Sequence, residues 1–289
     1  MGILKICKTA MMKGIILFAA VFMLLCCAKA KNNNEGEHQR NDSVSVQQKP
    51  IEAGMGILKS GETLTDNGNA TSHDNIFVPD KDYLTGKINF SKNPHFVQLT
   101  PQHCEGRTIY LRTEVAEAFE KMREAALKEG IVLFVVSGAR SFEQQKNIWE
   151  RKWNNLQNLK PKERAFEILK FSSMPMSSRH HWGTDIDLNN LNNSYFERGK
   201  GLTIYQWLTK NAPAYGFCQV YTDKSISGRT GYEMEKWHWS YMPISRQLLE
   251  LYNKTVKISD FNGFLGYDMA SEVKIIEKYV NGICDDWKE

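Results

Sequence analysis

Two short stretches of this chain alternate with a period of two, and the alternation sets chemistry against core. Thr184 to Leu188 reads Thr-Asp-Ile-Asp-Leu, and Trp237 to Tyr241 reads Trp-His-Trp-Ser-Tyr. Successive side chains of a strand point to opposite faces. Asp185 and Asp187 therefore share one face, with Ile186 and Leu188 on the other. His238 and Ser240 likewise oppose Trp237, Trp239 and Tyr241. The aromatic and aliphatic faces call for a hydrophobic core. Two carboxylates on one buried face call for a cation or for strong hydrogen bonds, because burying an isolated charge is costly.

The residues around these strands add to the polar side. His180 and His181 precede Asp187, with Gly183 between them. Glycine permits the sharp turn by which a loop histidine meets a strand carboxylate. Spacing alone leaves His180 and His181, and Asp185 and Asp187, as alternatives. Glu235 stands three residues before His238. On a regular strand that offset points it away, so it reaches the same site only where the strand begins at or after Lys236. A lone histidine between tryptophans is more often structural. Paired with the His-His-Trp-Gly-Thr-Asp-Ile-Asp stretch, it reads instead as a ligand. Two imidazoles, one carboxylate and a second, unligated carboxylate are the parts of a hydrolytic zinc site. Arg140 follows the apolar run Ile131 to Val136. Its guanidinium suits a substrate carboxylate or an oxyanion.

The 289 residues divide by composition. Residues 1–30 carry Lys5, Lys8, Lys13 and Lys29, no acid, and the apolar run Gly14 to Cys27. That is the pattern of an export signal, too short for a comfortable membrane span. Ala28-Lys29-Ala30 fits a cleavage site, while Cys26 or Cys27 fits lipidation as a bacterial lipoprotein. Either exit places the rest of the chain outside the cytoplasm, in the periplasm or cell envelope. Without these four lysines the 37 basic residues become 33, against 33 acidic ones. The balance removes any electrostatic case for nucleic acid. Residues 31–76 are polar and lack aromatics, as a flexible linker does. Residues 77–289 have a globular composition and are read as one monomeric domain. Cys104, Cys218 and Cys284 remain outside the signal, an odd number that allows at most one internal disulfide.

Within that domain, Leu111 to Gly130 predicts a helix with Val115, Phe119, Met122 and Ala126 on one face and Gly130 as its stop. Ile131 to Val136 predicts a buried strand. Phe142 to Trp153 predicts a second helix, and Pro161 starts a third. Further helices are expected at Tyr205 to Asn211, Ser245 to Asn253 and Ser271 to Val280, and a further strand at Phe217 to Tyr221. Strands separated by helices and long loops give an α+β fold with a small, mostly antiparallel sheet.

Three motifs now line up. Ser137 to Gln145 (Ser-Gly-Ala-Arg-Ser-Phe-Glu-Gln-Gln) comes first. The pattern Ser178, His180, Gly183, Asp187 follows, then Glu235, Trp237, His238. In this order and spacing the chain, from about Tyr83 to Phe264, resembles the zinc D-alanyl-D-alanine carboxypeptidases of the VanY type. The resemblance implies a zinc DD-peptidase (hedgehog/DD-peptidase-like) fold, with helices flanking a central antiparallel sheet that carries Zn2+ in a cleft. It implies His180, Asp187 and His238 as zinc ligands and Glu235 as catalytic base. Arg140 then polarises the scissile carbonyl or holds the substrate, and Gln145 and Ser178 bind substrate. The implied reaction is hydrolysis of the C-terminal D-alanine from a peptidoglycan stem peptide by a metal-activated water. The competing expectations are an L,D-carboxypeptidase acting on tetrapeptide stems, and a non-catalytic, zinc-stabilised wall-binding module. Ala139, Asp185 and Lys236 depart from the family pattern, where tyrosine, a small apolar residue and proline are usual.

Overall fold

A computed structural model of the protein describes residues 78–284. The expected export signal and linker lie outside the described residues. The described residues fall in a compact unit, Ala53–Glu289; the other unit, Met1–Glu52, also lies outside them.

In chain order the elements are α1 (Lys81–Leu84), β1 (Phe96–Gln98), β2 (Tyr110–Arg112), α2 (Thr113–Lys128), β3 (Val135–Ser137), α3 (Phe142–Asn155) and α4 (Pro161–Ile168). Then follow β4 (Asp185–Leu188), α5 (Gly199–Asn211), β5 (Phe217–Cys218), α6 (Lys224–Ser227), β6 (His238–Tyr241), α7 (Met242–Thr255) and α8 (Met269–Glu272). α3 starts on a capping box in which Ser141 and Gln144 satisfy each other's backbone N–H groups. α4 and α7 both begin with proline in the first turn. α2 buries Val115, Phe119, Met122 and Ala126, the face read from its periodicity. It stops at Gly130, where φ is +75°.

β1 and β2 form a two-stranded antiparallel ribbon. The other four strands make one antiparallel sheet in the order β3-β4-β6-β5. At its centre Asp185 sits opposite Ser240, Ile186 opposite Trp239, and Asp187 opposite His238. This register puts every polar residue of the two strands on one face. The apolar face packs Ile186, Leu188, Trp237 and Trp239 against α2 and α5. On the other side of the molecule, α3, α4 and α7 share a cluster that includes Trp149, Ile168, Leu248, Tyr252 and Trp182. Full burial of side chains of this size stabilises the fold by roughly 1.5–3 kcal/mol each. The architecture is the expected α+β arrangement.

Four expectations need correction. Ile131 to Val136 is not wholly buried: Ile131, Leu133 and Val135 point inward, while Val132 is 42% exposed. The segment runs into β3, a bulged edge strand covered on one face only. Leu111 belongs to β2 rather than to the helix, because it pairs with Val97. The expected strand Phe217 to Tyr221 keeps only its first two residues as β5, the opposite edge. Finally, Ser271 to Val280 is not one helix. α8 ends and the chain bends at Lys274, where φ is +54°, before a π-helical turn at Ile275–Val280. Val273 and Ile275 are both buried, and residues two apart on a straight helix face opposite ways. The bend lets both enter the core. Among the cysteines, the Cys218 and Cys284 sulfurs lie 3.8 Å apart.

Candidate metal centre and cleft

The loop before β4 is a single 3-10 turn, Arg179–Trp182, stopped by Gly183 in the left-handed region at φ +70°. Its tightness aims two consecutive histidines in different directions. A Cβ on Gly183 would lie 2.3 Å from the ring of Phe96. Gly183→Ala combines that overlap with an unfavourable backbone conformation. The expected cost is about 1–3 kcal/mol of folding stability, measurable by denaturant titration. An unchanged unfolding midpoint would contradict this reading of the turn.

His180 holds the carbonyl of Gly138 through Nδ1 at 2.8 Å. An N–H on Nδ1 is the donor there, so Nε2 is left with its lone pair, 3.3 Å from Asp187 Oδ2. His238 is held from its far edge: Nε2 is 2.9 Å from Asp185 Oδ2. Its Nδ1 lies 3.1 Å from Asp187 Oδ1. One donor atom from each of His180, Asp187 and His238 falls within 4.8 Å of the others, and all three residues are buried. Tetrahedral zinc with bonds near 2.0–2.1 Å holds its donors about 3.3 Å apart, so the spacing suits that ion. Both imidazoles also have their second nitrogen fixed, one by a carbonyl and one by a carboxylate, as metal-bound histidines do. The residues fit the group.

The electrostatics agree with a cation point. Burial alone would lower His238, but hydrogen bonds and charge from Asp185 and Asp187 outweigh it and lift the imidazole to about 10. Burial would raise Asp187, yet the two histidines hold its carboxyl well below the usual range.

Glu235 completes the group. β6 begins only at His238, and the His238 N–H closes a turn onto the Glu235 carbonyl at 3.3 Å. The strand thus starts after Lys236, which is the condition under which Glu235 reaches the site. Its Oε2 lies 3.7 Å from His238 Nδ1. Burial pushes this carboxyl up to about 8, with Asp187 adding to the shift and His238 and Arg140 opposing it. A cation at the triad opposes it further.

Arg140 stands across the site, with Nη2 3.8 Å from Asp187 Oδ2. It donates to Gln145 Oε1 at 2.8 Å and to Ser137 Oγ at 2.7 Å. Gln145 is fully buried, and its amide nitrogen donates to the Ser173 carbonyl at 2.6 Å. Both ends of that amide are occupied, so Gln145 supports Arg140 from behind. The Ser178 hydroxyl is buried and makes no hydrogen bond among the described residues. His181 turns away from the triad: Nδ1 donates to the Arg140 carbonyl at 2.7 Å, and Nε2 accepts from the Met176 N–H at 3.2 Å. Burial drops its pKa to about 3, so it is a neutral cross-link between two loops.

The triad, Glu235 and Arg140 open into a cleft of about 640 Å³. Its walls include Ile148, Arg151 and Lys152 of α3, together with Phe171, Tyr221, Tyr232 and Trp237. The sequence did not single out α3 as a wall, although Ile148, Arg151 and Lys152 repeat at i, i+3 and i+4 and so share one helical face. Arg179, also unremarked, is fully buried and donates to Asp185 at 2.9 Å.

Residues 108–244 match the family model described as VanY: D-alanyl-D-alanine carboxypeptidase. The putative carboxypeptidase YodJ of Bacillus subtilis is 36% identical over 135 residues, covering 46% of each chain. A D-alanyl-D-alanine carboxypeptidase of Enterococcus faecalis is 28% identical over 149 residues, covering 50% of this chain and 52% of that one. The chain spans about half the length of the curated relatives it matches. Among solved structures, the LdcB LD-carboxypeptidase aligns with a TM-score of 0.43 at 26% identity, over 57% of this chain and 80% of that one. VanYB in complex with D-alanine-D-alanine aligns with a TM-score of 0.43 at 23% identity, over 59% and 93%. Arg140, His180, Asp187, Glu235 and His238 all lie inside the span, residues 108–244, that resembles the VanY-type carboxypeptidase family.

Proposed function

We propose that the domain is a zinc-dependent D,D-carboxypeptidase that removes the terminal D-alanine from peptidoglycan stem peptides. The observation that carries this reading is the meeting of three buried donors within 4.8 Å of one another, with a further carboxylate, Glu235, 3.7 Å from one of them. His180, Asp187 and His238 would hold the ion. Zinc bound there supplies Lewis acidity toward water and toward the scissile carbonyl. Glu235 accepts a proton from the attacking water as its oxygen adds to the terminal peptide carbonyl. The Arg140 guanidinium faces the charge that develops on the carbonyl oxygen. Glu235 then passes the proton to the nitrogen of the leaving D-alanine as the C–N bond breaks. The buried surroundings of Glu235 favour both halves of this exchange, because its proton affinity lies nearer neutrality than that of an exposed carboxylate. We place the enzyme outside the cytoplasm, where residues 1–30 would direct it.

The test is incubation of the purified chain with pentapeptide and tetrapeptide stems. The expected result is loss of one alanine mass from the pentapeptide, abolished by a chelator and restored by zinc. Loss from the tetrapeptide alone would replace the D,D reading with an L,D one. Zinc binding without loss from either stem would leave a wall-binding module.

A further inference from the structure

The candidate donors do not explain the most heavily engaged carboxylate on the polar sheet face. Asp185 is fully buried on β4, two residues before Asp187, and does not belong to the donor triad. Its Oδ1 accepts from the Thr184 and Ser240 hydroxyls, each at 2.8 Å. Its Oδ2 accepts from Arg179 Nε at 2.9 Å and lies 2.9 Å from His238 Nε2. Arg179 is itself pinned: Nη2 donates to Ser240 Oγ at 2.7 Å, and its guanidinium carbon lies 4.8 Å from the centre of the Trp182 ring. Two strands, the preceding loop and the ring of a core tryptophan thus hold one carboxylate in a single orientation.

We propose that Asp185 is the positioning residue for His238, with Arg179 as its buried counter-charge, so that the imidazole presents Nδ1 to the metal. The proposal rests on the metal-site reading above. The two nitrogens of an imidazole point in divergent directions, so a carboxylate that holds Nε2 cannot ligate the ion held by Nδ1. What it does instead is fix the tautomer. A carboxylate already accepting from a guanidinium and two hydroxyls offers His238 only an acceptor, so the ring proton stays on Nε2 and the Nδ1 lone pair is free for metal. The same contact fixes the ring's rotation and makes Nδ1 a stronger donor. An isolated carboxylate under the sheet would be strongly unfavourable, and Arg179 removes that objection. The arrangement also accounts for an aspartate at a position where the family resemblance leads one to expect a small apolar residue.

The test measures zinc affinity of the full chain by competition with a chromophoric chelator, for wild type, Asp185→Asn and the double variant Arg179→Gln with Asp185→Asn. The double variant removes both buried charges together. Folding is checked by near-ultraviolet circular dichroism, and each protein's visible spectrum is recorded after loading with cobalt(II). Asp185→Asn is expected to weaken zinc binding about 10–100-fold and to alter the cobalt spectrum. Where that variant does not fold, the double variant is read on the same criteria. Zinc affinity within twofold of wild type, with an unchanged cobalt spectrum, overturns the proposal. Failure of both variants to fold under saturating zinc also overturns it, since the pair would then serve the fold rather than the imidazole. A wild-type chain that binds no zinc removes the metal reading, and this proposal with it.

Discussion

Glu235→Ala is expected to lower turnover of the pentapeptide by about 10²–10⁴-fold while the protein keeps its zinc. The geometry separates the two properties. Glu235 is absent from the donor triad, so truncating it leaves the three ligands in place. Its carboxylate nonetheless lies 3.7 Å from His238 Nδ1, buried beside the position a metal would take. Proton transfer occurs in the transition state, so kcat and kcat/KM should fall together with little change in KM. Glu235→Gln, which keeps the volume and removes the proton acceptor, should behave alike. Hydrolysis near the wild-type rate in either variant would take Glu235 out of the base role. Loss of zinc from both would instead make it a ligand.

Trp182→Ala is expected to destabilise the domain by about 3–5 kcal/mol, a drop in melting temperature of roughly 10 °C for a domain of this size. The indole has no exposed surface. It packs on Tyr252 with ring centres 5.9 Å apart, and Nε1 donates to the Leu84 carbonyl at 3.1 Å. Its own carbonyl accepts from the Tyr83 hydroxyl at 2.8 Å. Truncation leaves a large cavity and an unpaired buried carbonyl, beneath the turn that carries His180. Zinc affinity should fall together with stability, because the turn loses its floor. Denaturant titration with and without zinc reads both effects. A loss under 1 kcal/mol would show that the turn is held by its backbone alone.

The polar and apolar faces of β4 and β6 were legible because strand period is a local property, and Asp185, Asp187, His238 and Ser240 obey it. The α2 face was legible for the same reason. The choice between His180 and His181 was not. Both are buried, and only the path of the 3-10 turn decides which imidazole meets Asp187 and which ties Met176 to Arg140. Glu235 was legible as a condition on where β6 begins, and the strand meets it. Gln145 was expected to bind substrate because the family resemblance implies that role. The fold instead turns it inward, where its oxygen accepts from Arg140 and its nitrogen donates to the Ser173 carbonyl. Arg179 carried no local signal at all. Its role depends on Ser240, 61 residues away, arriving opposite Asp185. Lys274 shows the same limit in the backbone, since the bend there answers to burial of residues on both sides of it.

The distance along the chain between the donors has a consequence for the order of events. Asp187 and His238 are 51 residues apart in sequence and meet only when β4 pairs with β6. An unfolded chain therefore lacks the complete donor set, and a metal would not organise folding as it does in small zinc modules whose ligands all lie close together. Long-range strand pairing comes first and sets the pace. A metal captured at this site would then bind late in maturation and would be expected to slow the reopening of the finished sheet more than to speed its formation.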